Sequence, residues 1–510
     1  MRIRNSLRNA IIGVFYYLVT FFIGFIARSI FINILGDEYN GLNSLFTNIV
    51  TILSIAELGI GSAIVYHLYK PIAENDKETI KSLMKLYKKA YLFIALIIFI
   101  LAMILLPFLP YIVGSTTVNN IYLIFILYVM STVCSYLFTY NRSIIIAHQE
   151  NYIITICDIV YKLGLNIAQI LVLLITKNYI IYLIMQIIFV ILENLVITVI
   201  AYKKYPYLRE KEVKEISSSV TKDIFLKVKG LLYYKIGSSI ISSTDNIIIT
   251  RFSGLKMVGL YSNYTMIMIV VNCVLSQAVT SITASIGNLL ATSSREKCHN
   301  IYKKIIYLQY FVNNTFYILL FNLTSPFIEI WLGKNYLLPT VTLFFIVLVN
   351  YNASTGLTIR AFKEAAGIYH EDRYIPLIEA ILNIILSIIL ANFLGIVGCL
   401  LGTILSSMIT YIYDYPVYVY KKIFNKKIIC YYLELIKYII MFIISFVLCY
   451  IGCFKLINYV DSLIILIIVR GLICIVINIF IFFIFTNNTI EYNFYLNFLK
   501  KALNNFLSKI

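Results

Sequence analysis

The sequence predicts an all-α fold that crosses a membrane many times, and three observations predict it. Apolar segments of about 20 to 25 residues recur along the whole chain, each enough to span a hydrocarbon core of about 30 Å. The polar connectors between them alternate between strongly basic and nearly uncharged. The pattern of the first half also returns in the second half at a nearly constant offset. Hydrophobic residues make up 61% of the 510 and charged residues only 13%, a balance outside that of soluble domains.

Taken in order, the chain opens with MRIRNSLRNAIIGVFYY, a basic start like that of a signal peptide. Its apolar run is too long for one, carries Arg28 and lacks a small-residue cleavage site, so it is read as a retained first span. About fourteen spans are drawn, at 9–35, 42–68, 88–113, 119–146, 152–176, 179–202, 230–252, 259–288, 305–331, 338–361, 373–393, 396–420, 430–454 and 461–486. The fifth and sixth are divided only by Lys177-Asn178, the eleventh and twelfth around Gly395.

One set of connectors carries Arg2, Arg4 and Arg8, then Lys70 to Lys89, Lys203 to Lys229, Arg295 to Lys304, Lys363 with Arg373, Lys421 to Lys427, and Lys500 with Lys501. The other set holds little beyond Lys177, Arg251, Lys256, Lys334 and Lys455. The basic set faces the cytoplasm by the positive-inside rule, and an even number of spans places both termini there. This topology accounts for the net charge of +18. Dispersed basic residues without an aromatic-basic module exclude a nucleic-acid partner. The nine cysteines stand mostly alone in apolar runs, and Cys449 and Cys453 are the only close pair. They are read as small embedded hydrophobes without a metal or disulfide role.

A shift of 218 positions lays Tyr16, Gly36, Gly41, Leu42, Ser44 and Thr47 onto Tyr234, Gly254, Gly259, Leu260, Ser262 and Thr265, and Arg142 onto Arg360. Pro107-Phe108 with Gly114 returns as Pro326-Phe327 with Gly333. The expected organisation is a six-helix bundle over 1–202, a basic cytoplasmic linker over 203–229, a second six-helix bundle over 230–420, and helices 13 and 14 with a cytoplasmic tail over 421–510. Six spans separate the copies, so the repeats are parallel, with a central cavity expected between them.

Charges inside apolar runs are the candidate site. Arg28 and Glu57 lie in the first two spans and Asp245 in the seventh, where a charge costs several kcal/mol or more unless it meets water or a partner. They are read as cavity-lining, with Asp245 falling on the position of Ala27 in the repeat. Polar stripes at helical spacing accompany them, such as Thr265, Asn272, Ser276 and Thr283 in the eighth span. These uncharged members fit either a cavity lining or a helix-packing seam.

Arg142 and Arg360 sit near inner span ends, where they either snorkel to the interface or form a basic vestibule. Lys235 divides between the same vestibule and lipid headgroups. Asp158 and Lys162, four apart, are expected to neutralise each other. No partner is assigned to Glu193, Glu329, Glu379, Asp414 or Arg470, and His67 and His148 are read as interfacial. The sequence has no phosphate-binding loop, HExxH or GxSxG motif, so neither an enzyme nor a cofactor is expected.

ARSIFINILGDEYNGLNSLFTNIVTILSIAELGIGSAIVYHLYKPIAEND, STDNIIITRFSGLKMVGLYSNY and FKEAAGIYHEDRYIPLIEAILNIILS resemble the Wzx-like polysaccharide transporters. These belong to the multidrug/oligosaccharidyl-lipid/polysaccharide exporter superfamily. The resemblance covers spans 1 to 12. It implies two six-helix bundles in the bacterial cytoplasmic membrane and a flippase that carries undecaprenyl-pyrophosphate-linked oligosaccharide from the inner to the outer leaflet. Capsule, O-antigen or exopolysaccharide assembly would follow, with a polysaccharide polymerase and other assembly proteins as partners beside membrane lipids. Related flippases hold the pyrophosphate with cavity arginines, and Arg28 fits that role here. The substrate-binding candidates are Arg28, Arg142, Lys235, Arg360 and Asn272, and the ion-coupling candidates are Glu57 and Asp245. A multidrug or cation antiporter, a lipid II flippase of the same superfamily and a membrane glycosyltransferase are the alternatives.

Overall fold

The computed structural model describes residues 2–57, 60–210, 236–237, 239–241, 243–368, 371–455 and 462–507. Its regular structure is helical throughout these residues. The chain begins with α1 (Arg2–Leu35), α2 (Asp37–Leu53), α3 (Ile60–Glu74), α4 (Lys77–Leu105) and the short α5 (Leu109–Val113). It continues through α6 (Ile121–Phe138), α7 (Tyr140–Ala147), α8 (Asn151–Thr176), α9 (Tyr179–Lys204) and α10 (243–253). Then come α11 (Leu255–Thr292), α12 (Arg295–Leu332), α13 (Thr340–Thr355), α14 (Leu357–Ala365), α15 (Ile375–Leu394) and α16 (Ile396–Ile409). A wider π-helical stretch, Thr410–Ile423, leads to α17 (Ile428–Lys455), α18 (Leu463–Thr486) and α19 (Ile490–Leu507).

Among the described residues, 11 helices are long and apolar enough to cross a membrane. They coincide with all the drawn spans but three. In the first, Val19–Leu35 is a shorter apolar helix; the second is broken by a tight turn at Ser54–Glu57; the seventh is described as α10. Local chemistry sets the ends. Asp76 accepts a hydrogen bond from the Thr79 N–H at 3.0 Å to start α4, and Asn178 caps α9 through the Ile180 N–H at 2.8 Å. Lys177, with φ of 52°, stops α8 one residue earlier, so a single Lys-Asn pair does divide two helices.

The repeat is visible in the backbone. Gly36 and Gly254, equivalent under the 218 shift, both have positive φ, 90° and 83°, a region that side chains disfavour. Gly114 and Gly333, one position off that shift, likewise have positive φ of 72° and 98°. Gly41 and Gly259, also equivalent, face each other where α2 meets the start of α11. A Cβ on Gly41 would lie 2.1 Å from the Leu255 carbonyl oxygen, and one on Gly259 would lie 2.3 Å from that of Asp37. Asp37 and Leu255 are themselves 218 apart, so the contact is reciprocal, as a local two-fold relation requires.

Packing divides the chain into two compact units, Met1–Ser262 with Pro376–Cys399, and Asn263–Ile375 with Leu400–Ile510. In the first unit Tyr87, Tyr91, Ile98, Ile144 and Ala201 form the centre of an apolar core. In the second, Tyr302, Phe362, Tyr415, Phe424 and Phe482 do so. Large apolar side chains also point outward, among them Phe93, Ile175 and Phe393, as expected of surfaces facing lipid.

Candidate functional site

Arg28 lies on α1, eight positions before the Gly36 turn, and is half-buried. Nη1 donates to Asn40 Oδ1 and, at 3.1 Å, to Ser262 Oγ. Asn40 is fully buried at the start of α2 and uses its amide to hold the Gly259 carbonyl at 2.8 Å and Ser262 Oγ at 3.0 Å. The glycine contact thus places the two hairpins close enough for one asparagine to bind both the arginine and the opposing backbone. No described carboxylate pairs with Arg28, and its Nε and Nη2 form no hydrogen bond with a described residue. Tyr182, Tyr128 and Tyr179 lie within electrostatic reach. The guanidinium is therefore fixed through one nitrogen, and the Nε/Nη2 edge remains a planar two-donor fork suited to an oxyanion.

Glu57 occupies the end of the turn that breaks the second span. Tyr91 OH donates to Oε1 at 3.1 Å and Tyr136 OH to Oε2 at 2.5 Å. Its described partners are phenols, with no cation among them. Asp245 on α10 shares a polar pocket with α15 and α16. The Cys399 thiol lies 3.7 Å from its Oδ1, Ser387 Oγ donates to the Cys399 carbonyl at 3.1 Å, and the neighbouring Thr244 hydroxyl is 3.4 Å from Asn383 Oδ1. Asn383 and Ser387 are fully buried.

Arg142 is ion-paired through both terminal nitrogens. Nη1 pairs with Asp158 at 2.9 Å and Nη2 with Glu193 at 2.6 Å, binding α7 to α8 and α9. This also corrects the expected Asp158–Lys162 pair: Lys162 instead lies over the Tyr16 ring, 5.7 Å from its centroid. Helical proximity at i,i+4 loses here to a charge with better geometry on a neighbouring helix. The second unit contains a matching device. Lys363 on α14 binds Asp372, just before α15, and Asp414, in the π-helical stretch, the latter at 2.6 Å. In each unit one cation on a short helix is held by two carboxylates that come later in the chain.

Sequence reasoning missed the second triad because Lys363 counted as a connector charge and Asp414 had no partner. Acidic residues embedded in spans were the available signal, since each demands a nearby cation. Arg360, the repeat equivalent of Arg142, sits one helical turn before Lys363 and donates to the Ala353 carbonyl at 2.6 Å and to Tyr415 OH at 3.4 Å. Asn272 bridges α11 to α12 and α13: its Nδ2 donates to Asn350 Oδ1 at 2.6 Å and its Oδ1 accepts from Tyr317 OH. Lys235, with Tyr234, Ser238 and Ser242, lies outside the described residues. Among the described residues no group of three His, Cys, Asp or Glu side chains is placed to hold a metal ion.

The architecture is similar to that of solved transporters. It matches the lipid II flippase MurJ in an inward closed conformation with a TM-score of 0.68, covering 94% of this chain and 100% of that one at 15% identity. It matches an inward-facing multidrug resistance MATE family transporter of the MOP superfamily at 0.56, over 78% of this chain and 93% of that one with 17% identity. A MOP superfamily transporter from Pyrococcus furiosus, described by a reverse polarity of its binding pocket, matches at 0.51 over 81% and 94% with 15% identity. At these identities the likeness concerns the fold. No curated protein matches the chain by sequence. Residues 6–284 match the model of the family described as polysaccharide biosynthesis protein, which covers more than half of the 510 residues. The fold is similar to that of these solved polytopic membrane proteins, and the chain belongs to the polysaccharide biosynthesis protein family.

Proposed function

We propose that the protein is a flippase that moves undecaprenyl-pyrophosphate-linked oligosaccharide from the inner to the outer leaflet of the cytoplasmic membrane by alternating access. The product would feed capsule, O-antigen or exopolysaccharide assembly by a polymerase, and both termini face the cytoplasm. Family membership supports the polysaccharide pathway, and the observation that carries the reading is Arg28. A guanidinium inside an apolar helix, held by neutral partners and without a described carboxylate, retains its charge for the cargo. Its Nε/Nη2 fork suits a phosphate in a low-dielectric site, while the lipid tail stays in the bilayer. Arg360 and Asn272 are further contacts for the cargo, and Glu57 and Asp245 are the proposed proton or sodium sites. Arg142, closed within its triad, orders the helices instead.

The test is Arg28→Ala in membranes supplied with lipid-linked oligosaccharide. Outward appearance of the sugar falls at least tenfold at normal protein abundance, and Arg28→Lys, which keeps charge without the fork, recovers it in part. Full transport by Arg28→Ala removes the arginine from the mechanism. A second reading, a lipid II flippase, is favoured by the likeness to MurJ. Rescue of peptidoglycan synthesis in cells depleted of their own lipid II flippase separates the two. Drug or cation antiport suits an acidic cavity better than an uncompensated arginine.

A further inference from the structure

Three of the nine cysteines converge in the second unit. Cys449 and Cys453 lie four apart on α17 and share a face, and Cys474 comes from α18. Cys453 Sγ is 3.7 Å from Cys474 Sγ, and the Cys449 thiol points at the Cys474 carbonyl, 3.9 Å away. All three side chains are buried. One turn before Cys474, Arg470 is 8% exposed; its Nη1 donates to the Asn322 carbonyl at 3.2 Å while its Nε has no partner. No described carboxylate pairs with Arg470, and both Cys453 and Cys474 lie within its electrostatic reach. A buried guanidinium without a counter-ion is costly, and a thiolate is the anion its neighbours can supply.

We propose that Cys453 and Cys474 form a dithiol–disulfide pair inside the membrane, with Arg470 stabilising the attacking thiolate. The two sulfurs need only close to about 2.05 Å. The oxidant is a lipid-soluble quinone. The two thiols give up two electrons and two protons, the Cys453–Cys474 sulfur–sulfur bond forms, and the quinone leaves as quinol carrying both electrons and both protons. Oxidation covalently ties α17 to α18, and Cys449 stays a spectator.

The experiment uses the full chain in membrane vesicles, oxidised with a soluble ubiquinone analogue, then denatured and alkylated with N-ethylmaleimide for peptide mass spectrometry. Two of the nine thiols become protected, a cross-linked peptide joins Cys453 to Cys474, and dithiothreitol restores alkylation of both. Cys453→Ser and Cys474→Ser each abolish the link, Cys449→Ser retains it, and Arg470→Gln slows its formation about tenfold. Nine alkylated thiols after oxidation, or a link through Cys449, overturns the proposal. The decisive measurement is made on the unaltered chain, so it does not depend on any variant folding.

Discussion

Arg28 depends on Asn40 for its position. Asn40→Ala removes the acceptor for Nη1 and the donor to the Gly259 carbonyl, leaving buried polar groups unsatisfied at a cost of about 1–3 kcal/mol. The expected outcome is a lowered melting temperature in detergent together with reduced flipping, whereas Asn40→Asp, which pairs with Arg28 but loses the donor to the Gly259 carbonyl, blocks transport by neutralising the guanidinium. His148 gives a second residue-scale prediction. It stacks on Tyr205 at a centroid distance of 4.4 Å just outside the spans. Burial pushes its pKa below the usual value, opposed by Glu150 and reinforced by Lys204. A depressed folded pKa means the unfolded chain binds the proton more readily. The stability this neutral ring contributes is full above about pH 6.5 and is lost as pH falls through the lower folded value. Melting at pH 7.5 and pH 5 should differ more for the native chain than for His148→Gln. The sequence placed His148 near an interface but held no sign of Tyr205, because ring stacking between residues 57 apart in the chain leaves no local pattern.

Among the elements, the α2–α11 contact tolerates no side chain. Gly41→Ala or Gly259→Ala forces a methyl against a backbone carbonyl, which cannot rotate away, and the cost is at least the 1–3 kcal/mol of about one overpacked methylene. Thermal melting checks it, and Gly287→Ala, where nothing lies within 4 Å, is the control. The two triads differ in burial and therefore in what they lose. Removing Lys363 strands Asp372 and Asp414, whose side chains are 3% and 2% exposed, whereas Asp158 and Glu193 around Arg142 are 28% and 20% exposed. Lys363→Ala should cost about 3–5 kcal/mol and Arg142→Ala distinctly less, because water reaches the latter's orphaned carboxylates. Equal melting temperatures for the two variants would contradict this ordering. Neither triad was legible in sequence. Their members are joined by tertiary packing across three elements, while the positions of helix ends, set by Lys177-Asn178 and Gly395, were legible because caps are local.

At the scale of the whole molecule, the fold was the readable part. Apolar length and basic alternation gave the spans, and the 218 offset anticipated glycines that adopt the same positive φ in both copies. The site was read less completely: Arg28 stood out because a lone cation in hydrocarbon is conspicuous, whereas Arg142, read as a snorkelling or vestibule charge near a span end, is ion-paired to carboxylates on two neighbouring helices. Ion coupling belongs to this scale as well. Glu57→Gln and Asp245→Asn, measured under imposed proton and sodium gradients, should each weaken the response to one gradient; unchanged coupling in both removes them. The absence of a described counter-ion at Arg28 also has an electrical consequence. A charge that crosses the whole membrane field exchanges about 2.3 kcal/mol per 100 mV, so a conformational step that moves Arg28 through part of that field makes turnover voltage-dependent. If Arg28 holds the pyrophosphate proposed above, which carries more negative charge than one guanidinium neutralises, the sign of the moving charge reverses, and the same voltage that favours the empty carrier's return would oppose the loaded step.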